Sequence, residues 1–408
     1  MSVRVLTVGN MYPPHSLGGY ELMWQTWVGH ATSRGHAVRV LTTDFELPQG
    51  AIDDDDGGVD VHRELRWYWR DHRFLRLGPR GRLRIERHNA EVFERHLRQL
   101  DPDAVVWWAM AGMSVSPIER ARRAGVPGVA VLADYWLEYA PRVDAWARPF
   151  LRRPRLARAV ERLTGEITRV DLATGVRCVF SSDLLRRGAV AAWPNLGPSE
   201  VVPPEPHDVS RFRFSEPQPW RWNLLYVGRI DQVKGVDLAV LALAELPDEA
   251  TLTILGAGND DYLAKLRKLV RRRGLEDRVS FDRRPRNELP EIYANADAVL
   301  FPVRWAEPFG LVPLEAMAAG TPVIATGRGG SGEYLDDGSN CLIFDPRHGA
   351  QELADRIRRL AADGPLRERL REGGRRTIES VRAARFNERV LANVGLACEA
   401  PSWQRDAA

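Results

Sequence analysis

Glu307-Pro308-Phe309-Gly310-Leu311-Val312-Pro313-Leu314-Glu315-Ala316-Met317-Ala318-Ala319-Gly320-Thr321-Pro322-Val323-Ile324-Ala325-Thr326 reads as a loop, a short helix and a buried strand. Just before it, Val299 to Val303 is an apolar run broken by Pro302, so a strand ends there and the chain enters the loop. Pro313 is tolerated only in a first helical turn, which starts the helix near Gly310 or Leu311, and Gly320 suits a left-handed C-terminal cap. The N–H groups of Phe309, Gly310 and Leu311 then point out of the helix start, where the dipole favours negative charge, and a phosphate is the natural occupant. Glu307 and Glu315 flank that position. A carboxylate facing a polyol accepts from two neighbouring hydroxyls at once, so one Glu is read as gripping a ribose and the other a sugar. Taken only as two Glu at this spacing, Glu307 would cap the helix and Glu315 would be solvated.

Outward from this stretch, Asn223 to Val227 reads as a strand that runs into Gly228-Arg229-Ile230-Asp231-Gln232-Val233-Lys234-Gly235-Val236-Asp237, with a helix from about Gly235. An Arg offers a bidentate fork and a Lys a point charge; one of each at a strand–loop–helix mouth suits a diphosphate, although standing alone both would be solvated. The two strings together, Glu-x7-Glu with Phe-Gly after the first Glu and Gly-Arg-x4-Lys-Gly, resemble the signature of the retaining GT-B glycosyltransferases of family 4, the sucrose-synthase-like and mannosyltransferase-like enzymes. The resemblance implies an α/β chain of two Rossmann-like, doubly wound parallel-sheet domains facing each other across a cleft. It also implies a nucleoside diphosphate sugar (UDP or GDP type) held by Arg229, Lys234, Glu307, Phe309, Gly310, Leu311, Val312 and Glu315. Arg229 and Lys234 would neutralise the leaving diphosphate, Glu307 would orient the sugar and Glu315 would hold the ribose.

Composition agrees with that size and class. The 408 residues are too many for one ordinary core and enough for two domains of about 150–200 residues. Hydrophobic content of 44% with 28% charged is that of a soluble globular protein, and no window approaches the roughly 20 apolar residues of a membrane span. Val3 to Val8 opens into a Gly/Pro loop and reads as a first strand, not a signal peptide. Cys178, Cys341 and Cys398 lack metal-ligand spacing and read as free thiols of a reducing cytoplasm. A net charge of +3 gives no argument for nucleic acid. Lys occurs only at 234, 265 and 268, which makes Lys234 conspicuous and leaves few candidates for a Schiff base.

In chain order, Arg4 to Val8 is a strand, and the loop Gly9 to Gly19 leads into a helix near Tyr20, the opening of a Rossmann-like unit without the GxGxxG spacing. In the family, such a Pro-Pro loop ending in Gly-Gly nears the donor phosphates, so Gly18 and Gly19 carry over. Trp24 and Trp27 suit a core at helical spacing, with an acceptor groove as the alternative. Asp53 to Asp56 reads as a solvated loop rather than a DxD metal motif. The basic, aromatic stretch Arg63 to Arg98 reads as a solvated helix face because of Asp71, Glu86, Glu91 and Glu94; the alternative is recognition of a lipid-phosphate acceptor or of a membrane surface. Val38 to Thr42, Ala104 to Trp108, Gly128 to Leu132, Val170 to Thr174 and Cys178 to Ser181 read as strands, and Arg148 to Arg158 as a further basic helix.

Ala133 stands where family members place a His beside the reacting face of the sugar. Asp134 remains there as a catalytic candidate, with Tyr135 and Trp136 as acceptor contacts. Arg283 stands where the family often has Gly, near the base. The expected domains are 1–202 for the acceptor, a Pro-rich linker 203–220, 221–381 for the nucleotide sugar, and 382–408 returning to the first domain.

The expected reaction is transfer from a nucleoside diphosphate sugar to a hydroxyl of a glycan, lipid-linked sugar or secondary metabolite, with retention and without metal or cofactor, in the cytoplasm, with peripheral membrane contact left open. The resemblance implies front-side attack, and no carboxylate is placed as a nucleophile. An epimerase on the same fold would need acid and base residues that 307–315 do not supply. Ala133 motivates a non-catalytic nucleotide-sugar binder as the other alternative.

Overall fold

The strands of this chain are near-continuous runs of Val, Leu, Ile and Ala, the pattern of parallel sheets covered on both faces. The computed structural model describes residues 2–15, 18–46, 58–70, 73–172 and 174–399. It divides into two compact units, one formed by residues up to Pro203 and resuming at Arg385, the other by Pro204–Ala384.

The first unit holds a seven-stranded parallel sheet in the spatial order Asp60–Leu65, Ala37–Thr43, Arg4–Val8, Ala104–Trp107, Gly128–Leu132, Val176–Phe180, Ser199–Val201. The chain starts in the middle, builds one way and then the other, so a topological switch point lies between Arg4–Val8 and Ala104–Trp107. The helix Gly19–Ser33 packs Trp24 and Trp27 into the core, where Trp24 stacks on Trp108 with centroids 6.1 Å apart. The groove alternative for these residues is thereby closed. The final helix, Phe386–Glu399, buries Phe386, Val390, Val394 and Ala397 on this unit.

The second unit repeats the order with six parallel strands: Val279–Asp282, Thr251–Leu255, Asn223–Val227, Ala298–Phe301, Val323–Ala325, Leu342–Ile343. Alternate residues of the central strands feed two cores: Leu224, Tyr226 and Leu300 on one face, Leu225, Val227 and Phe301 on the other. Asn223–Val227 and Ala298–Phe301 pair only at Leu224–Ala298 and Leu225–Val299, so the two strands separate toward their carboxyl ends and open the switch point there.

Several expectations need correction. Val170 to Thr174 forms no strand among its described residues, whereas Asp60–Leu65, a polar edge strand, does. Residues 203–220 are no free linker, because Phe212 is buried in the second unit's core and Ser215 N donates to Ala319 O at 3.0 Å. Within the presumed solvated face, Glu86 is fully buried, accepting from Ser114 Oγ at 3.0 Å and from Ser116 Oγ. Asp53 to Asp56 and Asp71 lie outside the described residues.

Candidate functional site

Both loops that leave the second switch point are shaped by their own polar residues. Asp231 accepts from Val233 N at 3.1 Å and Lys234 N at 3.2 Å, which folds Gln232–Lys234 into a single 3-10 turn, and its other oxygen takes Arg229 Nε at 2.7 Å. Gly235 follows at φ +70, and a Cβ there would lie 2.0 Å from the carbonyl oxygen of Pro302. Only glycine lets this turn lie against the facing loop. Arg304 N donates to Val233 O at 2.8 Å, and the Arg304 guanidinium forks onto Asp237 at 2.6 and 2.8 Å. The two loops are thus clipped together before any ligand is considered.

Lys234 and Glu307 meet across this junction. Lys234 Nζ lies 2.8 and 3.0 Å from the two carboxylate oxygens, both side chains being largely buried. Trp305 Nε1 donates to Glu307 Oε2 at 2.5 Å, and its ring lies 5.5 Å from Lys234 Nζ. The Glu307 backbone is fixed by Arg328 O and by Gly330 N, which donates to Glu307 O at 2.6 Å. Gly329 makes this possible: it sits at φ +79, and a Cβ would stand 2.3 Å from Glu307 N.

The helix expected from Gly310 or Leu311 spans Val312–Ala319, with Pro313 in its first turn and Gly320 left-handed at its end. No side chain among the described residues caps its start, so Glu307 does not act as a cap. The amides of Phe309, Gly310 and Leu311, just before this helix, have no hydrogen-bond acceptor among the described residues. Phe309 packs on Tyr334 with centroids 5.1 Å apart, which orients this turn. Glu315, one turn in, is buried and far from solvated: Arg286 donates to one oxygen and Tyr293 OH to the other at 2.7 Å. His207, from the segment read as a linker, lies close enough to feel both Arg286 and Glu315.

The structure therefore gathers Lys234, Glu307, Glu315 and the amides of 309–311 at one sheet edge and leaves Arg229 exposed beside them on Asp231. Trp305, Arg304, Asp237, Arg286 and Tyr293 complete the setting. Trp305, two residues before Glu307, was open to inspection in the motif itself; the others become neighbours only through the fold.

In the first unit, the loop after Arg4–Val8 reaches that sheet's switch point. Asn10 N donates to Ala109 O at 2.7 Å, and Arg63 Nη2 to Pro13 O at 2.8 Å. Gly18 precedes the helix Gly19–Ser33, its N–H donating to Glu21 Oε2 at 2.9 Å. Asp134 follows the strand Gly128–Leu132, accepts from Trp136 N at 2.9 Å, and burial pushes its carboxyl up to about 6. Tyr135 is half-buried. Trp136 is fully buried and donates through Nε1 to Tyr20 OH at 3.2 Å, so it offers no surface to an acceptor.

A family model described as "Glycosyl transferases group 1" matches residues 210–377. D-inositol 3-phosphate glycosyltransferase of Arthrobacter sp. (strain FB24) is 38% identical over 381 residues, 86% of this chain and 83% of that protein. GDP-mannose-dependent alpha-(1-6)-phosphatidylinositol monomannoside mannosyltransferase of Mycobacterium tuberculosis is 29% identical over 375 residues, 88% of this chain and 89% of its own. A shorter match, 32% identical over 166 residues, joins 38% of this chain to 44% of spore coat protein SA of Bacillus subtilis (strain 168). Among solved structures, Anabaena HepE in complex with UDP and glucose superposes with a TM-score of 0.69 at 19% identity, over 96% of this chain and 99% of that one, a likeness of fold.

Proposed function

Because this chain belongs to the group 1 glycosyl transferases and has two Rossmann-like units of the GT-B kind, we propose that it moves a hexose from a nucleoside diphosphate sugar to an acceptor hydroxyl, with retention and without a metal ion. The Lys234–Glu307 pair beside the amides of Phe309, Gly310 and Leu311 carries the reading. Lys234, Arg229 and those amides supply the positive potential that a leaving diphosphate needs, and such preorganised stabilisation is usually the largest catalytic contribution. Glu307 orients the sugar through its hydroxyls, and Glu315 serves the ribose side. The acceptor oxygen attacks the anomeric carbon on the face that the diphosphate leaves. One C–O bond breaks, one forms, and the acceptor proton passes to the departing phosphate oxygen.

Calorimetry with UDP, GDP and dTDP, without added metal, tests the donor site. Micromolar binding of one nucleotide, lost in Lys234→Ala, is expected. No binding, or binding indifferent to Lys234, overturns it.

The mannosyltransferase relative is named for a lipid acceptor, and one surface of this chain favours an acceptor of that class. Leu151, Leu156 and Leu163 are exposed, the last at 84%, on a segment that also exposes Arg152, Arg153, Arg155, Arg158 and Arg162. Leu156 and Leu163, seven residues apart, share one face of the helix Pro154–Thr164, with Arg155 and Arg162 on its flank. This is the composition of a helix lying on an anionic lipid surface. Sedimentation with phosphatidylglycerol vesicles, but not phosphatidylcholine vesicles, is expected for the wild type and lost in Leu156→Asp/Leu163→Asp; equal sedimentation of both proteins removes the lipid reading. No helix among the described residues is long and apolar enough to cross a membrane.

A further inference from the structure

Away from the donor site, the edge strand Asp60–Leu65 places His62 and Glu64 two residues apart, on one face of the strand. The helix Pro79–Leu100 presents His96 to that face. His62 Nδ1 lies 3.1 Å from Glu64 Oε1, His96 Nε2 lies 3.6 Å from the same oxygen, and one ligand atom from each residue falls within 4.8 Å of the others. Neighbouring ligands about a tetrahedral zinc ion, with bonds of about 2.1 Å, stand roughly 3.4 Å apart. The two measured separations bracket that value.

A second observation points to a ligand. His96 is 1% exposed, and neither of its ring nitrogens has a hydrogen-bond partner among the described residues. An imidazolium at His62, paired with the carboxylates on either side, would satisfy His62 and Glu64 yet leave His96 unexplained. The other nitrogen of His62 is also arranged as in metal centres: Nε2 lies 2.8 Å from Asp60 Oδ1, and Asp60 Oδ2 takes Arg39 Nε at 2.7 Å. A carboxylate behind a histidine fixes the tautomer and turns the opposite lone pair inward.

From this geometry we propose that His62, Glu64 and His96 bind a divalent transition-metal ion, zinc being the best match to two imidazoles and one carboxylate, with a fourth position open to water on the half-exposed side of His62 and Glu64. The ion would tie the edge strand to its helix. It stands apart from the sugar-transfer reading, which takes no metal. Arg95, which pairs with Glu64 from its exposed side, competes for the same carboxylate.

The test is titration of the chelator-stripped full chain with cobalt alone, read by the visible bands of four-coordinate cobalt, followed by zinc displacement. One equivalent per chain is expected, with the bands lost in His62→Gln and in His96→Gln and the affinity lowered roughly 10–100-fold in Asp60→Asn. Arg95→Ala is expected to bind more tightly, which a purely structural ion pair would not predict. Because His96 lies in the core, thermal unfolding without metal is compared first; His62→Gln, on a half-exposed residue, decides if His96→Gln does not fold. Absence of saturable binding, or binding unchanged in His62→Gln, overturns the site.

Discussion

Lys234 and Glu307 hold each other through both carboxylate oxygens, at 2.8 and 3.0 Å, although they lie 73 residues apart. The cation proposed for the diphosphate is therefore already engaged. Replacing Glu307 by Gln should release Lys234, so Glu307→Gln is expected to bind the nucleoside diphosphate as tightly as wild type or tighter, while kcat for transfer falls at least about 100-fold. Parallel calorimetry and turnover measurements check this. A loss of nucleotide affinity matching the loss of turnover would contradict the division of roles.

Glu315→Ala should act differently. It leaves the Arg286 guanidinium and the buried Tyr293 hydroxyl without their shared acceptor. Arg286 is about one-third exposed, so the cost is set below that of a fully buried pair, at about 2–4 kcal/mol. Thermal unfolding should fall by several degrees and nucleotide affinity should drop with it. An unchanged melting temperature would mean that Arg286 and Tyr293 find other partners.

Gly329→Ala tests how finely the Glu307 backbone is set. The added Cβ must push away Glu307 N and O, at 2.3 and 2.4 Å. Transfer should fall about 100-fold, the size expected for a misplacement of about 1 Å, with nucleotide binding nearly intact. Gly35→Ala is the control: it has a similar φ, +83, with no atom within 4 Å, and should cost about 1 kcal/mol of stability and no activity.

Burial, reinforced by Asp144, pushes the Glu86 carboxyl up to about 8 from an ordinary 4.5. The native state then holds a proton that the unfolded chain has released, so stability is fullest below the unfolded value and declines as pH rises toward 8. The slope can reach about 1.4 kcal/mol per pH unit. Asp134, raised to about 6, adds to the decline in the lower part of the window. Urea midpoints across this range should flatten in Glu86→Gln; an unaltered slope would remove Glu86 as the cause.

The motif strings were legible because each residue's placement follows from local rules: Pro313 must begin a helix, Gly320 must end it, and the apolar runs of 223–227 and 298–301 must be buried strands. What was not legible depends on partners distant in sequence. Glu86 looks solvated on its own helix and is buried because Ser114 and Ser116 meet it there. Asp60–Leu65 reads as polar because it is an edge strand, and residues 203–220 read as a linker because Pro hides their attachment to Ala319 and Tyr293. Trp136 illustrates the same limit in reverse: an aromatic after a strand end looks available until the core closes over it.

The first unit takes its last helix from beyond the second. During synthesis the strands Gly128–Leu132 and Val176–Phe180 leave the ribosome more than 200 residues before Phe386–Glu399, which packs on them. The second unit, though made later, is complete in itself and can fold first, while the first keeps apolar surface uncovered until that helix has emerged. Chains stopped before Phe386 would therefore carry a finished second unit joined to an unfinished first, and chaperones or proteases would meet the older half of the molecule.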